Sequence, residues 1–524
     1  MRTNLLLCLL LCLLLAPASI LSASPAAEPN IPLPPDDVLI APLPASLAFT
    51  VDGEQDARLP SQYLAGSVAV RLVLPESNGE FDRSTEDWTV FQIEQVVAQT
   101  QAALDWWRER LPAARLAFEL TVQVVPTRYE PIRYGLAQEG LWIGDVLRRL
   151  GYESANYFEQ AYMAAFDLRD HNGTDWATTI FIVNSAQDDG YFADGRFAYA
   201  YLNGPFSVIT SDGGPYSTQW LRAVIAHELA HLFGALDQYS AAGISCDQRS
   251  GYLYAPTTNS MFNNCGTNEP SIMRELINSF TIGAVDVSAR AQLGYRDSDG
   301  DGIIDVLDTT PFITIANTLQ SRSGRPLVEL VARDQAFPSP VQPDASINPI
   351  TAIEYRVNES DWQLVIPADG AFDRALETAE IELPLYDGDY VVEFRAFNAA
   401  DNTSDVVTQT MTVNGLGPAP AYRIAGPARL EGQALIIRAQ APSGTQLIEV
   451  SAQRAFADAV RLPYEPELTL MLDSAPALSV VPATIPTIYV RFIDQAGLPS
   501  LVYSLPVEIP VPETYQVMIP IVTR

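Results

Sequence analysis

One segment near the middle of the chain restricts the fold more than any other. Residues 220–235 are a continuous run of helix formers, and Gly234 stands where a helix would end in a left-handed turn. Within this predicted helix, His227 and His231 are four residues apart, so both imidazoles project from one face. The chain has only three histidines in 524 residues. The domain must therefore be built around a helix that presents two imidazoles to one point.

Two imidazoles on one helical face are a recognised way of binding a single zinc ion. Glu228 lies about 100° round the helix from His227, where it can hold a metal-bound water without binding the metal itself. A zinc ion with an open fourth position lowers the pKa of its bound water to ~7. We therefore predict a zinc site with Glu228 as the general base. The alternative is a buried helix whose histidines are hydrogen-bonded to backbone groups.

The residues that follow His231 extend the pattern with Gly234 and Asp237, spaced as x-x-Gly-x-x-Asp. This sequence resembles the metzincin metallopeptidases, in particular the aspartate-containing subset and secreted bacterial peptidases of the immune-inhibitor-A and IgA-peptidase kind. The resemblance implies that Asp237 is the third zinc ligand, and carboxylate oxygen is a suitable ligand for zinc. A thermolysin-like arrangement, with Glu269 or Glu275 as the third ligand, is the alternative.

The resemblance, which covers roughly residues 67–295, implies two further features. One is a methionine turn beneath the metal, for which Met273 is predicted and Met261 is the alternative. The other is an edge strand on which substrate aligns by strand addition. Tyr199 and Tyr201 stand on a predicted strand before the zinc helix and are assigned to this edge, with ordinary core packing as the alternative.

The domain organisation follows from a change of pattern along the chain. Strands alternate with helices up to about residue 295, which predicts an α/β or α+β domain over residues 61–296. Beyond residue 310, short β-runs alternate with proline and glycine turns, and residues 394–404 recur as residues 490–500. This repeat predicts two all-β immunoglobulin-like sandwiches, residues 313–415 and 416–524. We expect such sandwiches to space the molecule or to bind a surface or glycan partner.

A second metal site is predicted between the two parts, in residues 297–312. The segment resembles the calcium loops of EF-hands, dockerins and thrombospondin type 3 repeats, with glycine at position 6. Calcium at the domain junction would be structural, and a solvated acidic turn is the alternative. The predicted ligands are Asp297, Asp299, Asp301, the carbonyl of Ile303, Asp305 and Asp308.

The N-terminus predicts export. Residues 1–23 combine an initial arginine, a leucine-rich run too short to span a bilayer and a small-residue zone, which is the pattern of a signal peptide; a retained anchor is the alternative. Residues 24–60 are predicted to be a proline-rich linker or short pro-region. In an exported chain, Cys246 and Cys265 are expected to form a disulfide rather than two free thiols or a metal pair.

Charge excludes several classes of partner. The formal net charge is −32, and the chain has no lysine. Such a surface repels phosphate backbones and anionic lipid, so we expect no nucleic-acid partner. No segment after the signal peptide is apolar enough to span a bilayer, so we also expect no transmembrane segment in the mature protein. The sequence thus predicts a secreted zinc endopeptidase that acts on extracellular proteins or peptides. The alternative is a non-catalytic adhesion protein with a degenerate or structural zinc domain.

Overall fold

The computed structural model describes residues 38–42, 49–51, 54–56, 58–212, 216–367, 370–454, 456, 459–472 and 487–508. The predicted signal peptide, most of the predicted linker and the C-terminal 16 residues of the second predicted sandwich lie outside the described residues.

The N-terminal part is built on a six-stranded mixed sheet in the order β1-β7-β8-β6-β4-β5. Strands β4, β5, β6 and β8 are mutually parallel, whereas β7 runs antiparallel to β8 and pairs with β1 in parallel. The strands of this sheet are β1 (Val38–Leu39), β4 (Ser67–Ser77), β5 (Ala117–Thr127), β6 (Trp176–Val183), β7 (Ala198–Tyr201) and β8 (Phe206–Thr210), and a separate hairpin joins β2 (Phe49–Val51) to β3 (Glu54–Asp56).

Helices cover both faces of this sheet. The helices are α1 (Val90–Arg110), α2 (Glu139–Arg149), α3 (Tyr157–Asn172), α4 (Ser217–Leu232), α5 (Leu276–Ile282) and α6 (Val287–Gln292). On β4, Val70 and Leu72 belong to the core beneath α1 and α4, while Val73 belongs to the core beneath α2 and α3. A strand buried on both faces is nearly all apolar, and residues 68–75 of β4 are apolar apart from Arg71.

The helix boundaries follow local signals. α1 begins with a capping box between Thr89 and Gln92 and ends just before Pro112, which cannot continue a helix. α3 ends at Gly173, which adopts a left-handed conformation with φ of 64°. A short hairpin of β9 (Arg249–Ser250) and β10 (Ala255–Pro256) follows α4, and the predicted disulfide between Cys246 and Cys265 is confirmed.

The first C-terminal unit is a seven-stranded sandwich with a three-stranded sheet, β11-β12-β15, packed on a four-stranded sheet, β14-β13-β16-β17. Alternate residues of β16, including Val392, Phe394 and Ala396, face the core between the sheets. The strands are β11 (Pro311–Gln320), β12 (Pro326–Asp334), β13 (Ile350–Val357), β14 (Gln363–Leu364), β15 (Leu376–Glu382), β16 (Gly388–Asn398) and β17 (Val407–Val413).

The second C-terminal unit surrounds a further core. Its strands join in the order β18-β20-β19-β25-β24-β21-β22, with β23 paired to β20. The strands are β18 (Arg423–Ile424), β19 (Ala428–Glu431), β20 (Ala434–Gln440), β21 (Leu447–Ser451), β22 (Val460–Pro463), β23 (Glu467–Met471), β24 (Thr487–Ile493) and β25 (Tyr503–Glu508).

The two copies of the predicted internal repeat form the same turn in the two sandwiches. In the first sandwich, the Ser404 hydroxyl accepts a hydrogen bond of 2.9 Å from the Ala396 amide. In the second, the Ser500 hydroxyl accepts one of 3.0 Å from the Phe492 amide. Each pair has the same spacing and lies at the same place after a core strand, so the sequence repeat reflects repeated backbone geometry.

The first sandwich and the N-terminal part share a core. Ala345 and Ile347 are buried in the same cluster as the residues of α1 and α4, although they lie between β12 and β13. The Tyr252 hydroxyl donates to the carbonyl of Phe337 at 2.5 Å and accepts from the Ala345 amide at 2.9 Å. The two parts are therefore joined by a shared core as well as by residues 297–312, the predicted calcium loop. Within the described ranges, no helix is long and apolar enough to span a membrane.

Candidate metal centre

The helix predicted over residues 220–235 is α4, and its second half is buried. Gly234 follows its end with φ of 94°, a conformation that favours glycine. A Cβ atom at this position would lie 2.5 Å from the Cα atom of Gly251. Glycine is therefore required both by the backbone angle and by the close approach of the next segment, and the turn sends the chain back toward α4.

The two imidazoles of α4 face one another. His227 Nε2 lies 3.1 Å from His231 Nε2, and both side chains are essentially inaccessible to solvent. Each Nδ1 atom is bonded to a main-chain carbonyl, that of Ile272 for His227 (2.9 Å) and that of Ala235 for His231 (2.7 Å). A carbonyl oxygen can only accept, so each Nδ1 carries the proton.

This tautomer determines what the Nε2 atoms can do. With Nδ1 protonated in both neutral rings, each Nε2 atom presents a lone pair, and two lone pairs are directed at one buried point. Such an arrangement is unfavourable without a cation between the rings and is the usual second-sphere arrangement of metal-binding histidines.

Asp237 completes the group. Its Oδ1 atom lies 3.0 Å from His227 Nε2 and 3.4 Å from His231 Nε2, and the residue is 1% exposed. No described residue donates a hydrogen bond of good geometry to this oxygen. Tetrahedral zinc with bonds of about 2.0–2.1 Å separates its ligand atoms by about 3.3 Å. The three ligand atoms therefore fit zinc in type, spacing and protonation.

The two kinds of ligand shift each other's pKa. Burial raises the pKa of Asp237, but attraction to the imidazoles of His231 and His227 in their protonated form outweighs burial and holds that pKa well below its usual range. Burial lowers the pKa of His227, but Asp237, with a contribution from Glu228, leaves it above the usual value. The site therefore favours an ionised carboxylate beside a positive charge, which a divalent cation can supply instead of a proton.

Glu228 is buried beside the group, 1% exposed, on the turn of α4 that carries both histidines. It is not one of the three converging ligands. A carboxylate that adjoins a metal group without belonging to it can act on a bound water.

The segment of Met273 supports the group through its backbone. The carbonyl of Ile272 orients His227, and the carbonyl of Met273 accepts a bond of 2.7 Å from the amide of Gln238, next to Asp237. The Met273 side chain is completely buried in the core beneath α4. Two of the three candidate ligands thus depend on one short turn.

The alternative ligands lie elsewhere. Glu269 and Glu275 are exposed and do not belong to the converging group. His171, the third histidine, is exposed on the last turn of α3. Met261 is also exposed, 41% by area, unlike Met273.

The prediction that Tyr199 and Tyr201 line a substrate edge requires correction. Both side chains are buried, and their hydroxyls donate to the Glu139 carboxylate, which also accepts from Tyr157. They belong to the core beneath α2 and α3, on the face of the sheet opposite to α4. Their strand is also not the border of the sheet, because β1 pairs with it.

The predicted calcium loop is assembled only in part. Oxygens of Asp297, Asp299 and Asp301 lie within 4.8 Å of one another, and all three residues are exposed. The carboxylate of Asp297 accepts bonds from the amides of Gly300 (2.7 Å) and Gly302 (3.0 Å), which closes the loop.

The last two predicted calcium ligands are engaged with other groups. Asp305 accepts bonds from Arg296 and from both the amide and the hydroxyl of Ser298. Asp308 accepts a bond of 2.9 Å from Asn402 of the first sandwich. The amide of Ile303 donates to Asp301. The prediction that Asp305 and Asp308 converge with the other three is therefore not met by this arrangement.

Several supporting groups were not predicted from the sequence. They are the carbonyls of Ile272 and Ala235 and the hydroxyl of Tyr239, which lies 3.3 Å from Asp237 Oδ2. Only Tyr239, two residues after Asp237, had a signal in the sequence. Carbonyl groups have none, because every residue carries one.

Comparisons with known proteins leave the function open. No family model and no curated protein matches the chain. Among solved structures, the chicken CNTN1 FN1-FN3 domains match with 16% identity over 38% of this chain and 66% of that chain, at a TM-score of 0.15. Fibronectin(III)-like modules of Clostridium thermocellum CbhA match with 14% identity over 38% of this chain and 94% of theirs, at a TM-score of 0.14. The chicken interferon gamma receptor alpha chain matches with 14% identity over 38% of this chain and 98% of its own, at a TM-score of 0.13. TM-scores this low carry no argument about function.

Proposed function

We propose that this protein is a zinc-dependent endopeptidase of metzincin type. The observation that carries the proposal is the pair of facing Nε2 atoms on His227 and His231, with Asp237 Oδ1 beside both. Both rings are fixed by carbonyl acceptors in the tautomer that binds metal. A degenerate site would be expected to lose at least one of these features, and none is missing.

The proposed reaction is hydrolysis of a peptide bond by water. Bound zinc would polarise the scissile carbonyl and lower the pKa of a bound water. Glu228 Oε atoms would accept a proton from that water and donate it to the departing amine nitrogen. His227, His231 and Asp237 would hold the metal, while Tyr239 orients Asp237 through its hydroxyl.

The remaining assignments belong to the same proposal. We infer that calcium binds Asp297, Asp299 and Asp301 and stiffens the loop between the two parts of the chain. Export to the extracellular space is supported by the leucine-rich N-terminus and by the disulfide. The sandwiches would bind a surface or glycan partner or space the peptidase unit.

The test is cleavage of a broad peptide mixture with mass-spectrometric readout. We expect products from the parent protein and none from Glu228→Gln, which keeps the shape of the side chain but cannot accept the proton as a carboxylate does. Glu269→Gln, at an exposed carboxylate outside the metal group, is the matched control and should cleave like the parent. Chelation should abolish cleavage, and added zinc should restore it.

The rival function is binding without catalysis. It would be favoured if Glu228→Gln retained zinc and every activity of the parent. Cleavage that is insensitive to Glu228 and to chelation would refute the proposal directly.

A further inference from the structure

A cavity of about 380 Å³ lies between the two sandwiches, far along the chain from the candidate metal ligands. One wall comes from the first sandwich and the other from the second. The lining residues are Asp361, Trp362, Gln363, Leu364 and Arg395 of the first sandwich and Arg454, Thr487, Tyr489, Val502 and Ser504 of the second. Small-ligand sites typically measure about 300–1,000 Å³ and are frequent between domains, so both the size and the place suit a ligand.

The two walls are bonded to each other. The carboxylate of Glu354, 4% exposed, accepts from Arg395 of its own sandwich at 2.8 Å and from Arg454 of the other at 2.7 Å. The Ser504 hydroxyl donates to Asp361 at 2.9 Å. Because these bonds cross between the sandwiches, the shape of the cavity is fixed before a ligand enters, which reduces the free-energy cost of binding.

Gln363 presents an unused donor to this cavity. The residue is 5% exposed, and its Oε1 atom accepts from the Tyr355 hydroxyl at 3.0 Å and from the Val502 amide at 3.2 Å. A main-chain amide can only donate, so this bond also fixes which end of the side chain is the nitrogen. That nitrogen donates to no residue in the described part of the chain, and it is not sealed off by protein atoms. Its two hydrogens therefore remain for a molecule in the cavity.

An oriented aromatic ring and two hydroxyls stand beside this donor. The Trp362 ring is partly buried, and its centroid lies 4.1 Å from the guanidinium of Arg395 and 4.7 Å from that of Arg356. Such cation–π contacts hold the indole in place. The hydroxyls of Thr487 and Tyr489, on β24, are bonded to no described residue. The wall thus combines an apolar ring with groups that both donate and accept.

The charges around the cavity cancel. Arg395 and Arg454 are accompanied by two carboxylates, those of Glu354 and Asp361. A ligand therefore meets no net charge that would favour an ion. The matching ligand is uncharged, has hydroxyls at its rim and has one apolar face, and a pyranose ring has all three properties.

We propose that this cavity binds a neutral sugar residue of a glycan, with its C–H face on Trp362 and its hydroxyls bonded to Gln363 and Tyr489. The inference rests on the binding role that the proposed function gives to the sandwiches, and it does not depend on peptide hydrolysis. A sugar in this position contacts both sandwiches at once.

The experiment titrates the full chain, by calorimetry, with the trisaccharides of glucose, mannose and N-acetylglucosamine. We expect saturable binding of at least one of them, and weaker binding of the trisaccharide of glucuronic acid, because its carboxylates meet Asp361 and no unpaired cation. Tyr489→Phe should weaken binding of the neutral sugar about five- to tenfold, since one hydrogen bond to the ligand is lost. Tyr390→Phe, at a tyrosine of β16 outside the cavity, is the matched control and should bind like the parent.

A second variant and a second readout separate the outcomes. Trp362→Ala should abolish binding, and its thermal unfolding shows whether it has folded; Tyr489→Phe removes a hydroxyl on which no described residue depends. The inference would be overturned by an absence of binding to all three neutral sugars, by equal binding in Tyr489→Phe and the parent, or by tighter binding of the glucuronic acid trisaccharide.

Peptide cleavage is measured on the same preparations. Cleavage that depends on Glu228, without sugar binding, would overturn this inference and leave the proposed peptidase standing. Sugar binding without any such cleavage would overturn the peptidase and leave the sugar site standing.

Discussion

The two clusters of candidate metal ligands in this protein are built in opposite ways. His227, His231 and Asp237 are buried, and the two imidazoles are oriented by the carbonyls of Ile272 and Ala235. Asp297 and Asp301 are exposed, and the carboxylate of Asp297 is held by amides of its own loop. The buried group needs the whole domain in order to exist, whereas the loop needs only its own local turns.

This difference predicts how each cluster responds to its metal. In the buried group the lone pairs already converge. Folding has therefore brought the ligand atoms together before metal binds, so little free energy is needed to arrange them. In the loop, carboxylates surrounded by water gain less from a cation, and two of the six predicted ligands are engaged elsewhere. We therefore expect tight zinc binding and weaker, more local calcium binding.

The largest effect should come from removing one buried ligand. We expect His231→Ala to weaken zinc binding at least about 100-fold, because two ligand atoms cannot replace a preassembled set of three. Zinc content after dialysis against a zinc buffer, measured by elemental mass spectrometry, is the readout. His171→Ala, at the exposed histidine of α3, is the matched control and should retain full zinc. Full zinc occupancy in His231→Ala would show that the buried group is not the metal centre.

A smaller effect is expected in the exposed loop. Asp297→Ala should weaken calcium binding about tenfold or more and leave the zinc content unchanged, because Asp297 is both a candidate ligand and the acceptor that closes the loop. Isothermal titration with calcium measures the first effect, and Asp405→Ala, an exposed carboxylate of the first sandwich, serves as the control. Loss of zinc together with calcium would contradict the view that the two clusters are independent.

The smallest effect concerns the partly buried carboxylate of Glu76. Burial raises the pKa of Glu76 to about 7, despite a hydrogen bond from the amide of Trp88, and Asp87 and Glu130 add to the shift. A raised pKa in the folded state means that stability is highest below the unfolded pKa and is lost as pH rises toward 7.

Glu76→Gln should therefore match the parent at pH 4 and gain about 1 kcal/mol of unfolding free energy at pH 8, after allowance for solvent screening of this half-exposed group. Urea denaturation at pH 4, 6 and 8 measures the difference. Glu80→Gln, at an exposed glutamate, should show no such trend. An equal gain at pH 4 and pH 8 would mean that the effect does not arise from ionisation.

Much of the secondary structure could be predicted because its signals are local. The strand that begins at Ser67, the stop of α1 before Pro112 and the turn at Gly234 all depend on residues close to one another in the sequence. The internal repeat also gave the matching turns at Ser404 and Ser500. The helix predicted over residues 220–235 is observed over Ser217–Leu232, since the periodicity of apolar residues does not specify the first and last hydrogen-bonded turns.

The side-chain environment of β7 could not be predicted in the same way. Tyr199 and Tyr201 alternate as in any strand, and alternation alone does not decide which face meets α4 or whether another strand borders the edge. Glu139, which accepts their hydroxyls, is 60 residues away from Tyr199 in the chain. Likewise, Asp305 and Asp308 fit the spacing of a calcium loop, but Arg296 and Asn402 compete for their carboxylates.

The sequence by itself determined which side chains converge in the candidate metal centre, because helical spacing puts His227 and His231 on one face and a glycine turn brings Asp237 back toward them. Only the tertiary structure decided the acceptor that orients His227, the carbonyl of Ile272, and the pairing of β1 with β7, whereas the carbonyl of Ala235 lies just four residues after His231. The physical reason is the range of the interactions. Helix geometry acts over a few residues, whereas hydrogen bonds to carbonyls and pairing between strands join segments whose separation in the chain leaves no pattern in the sequence.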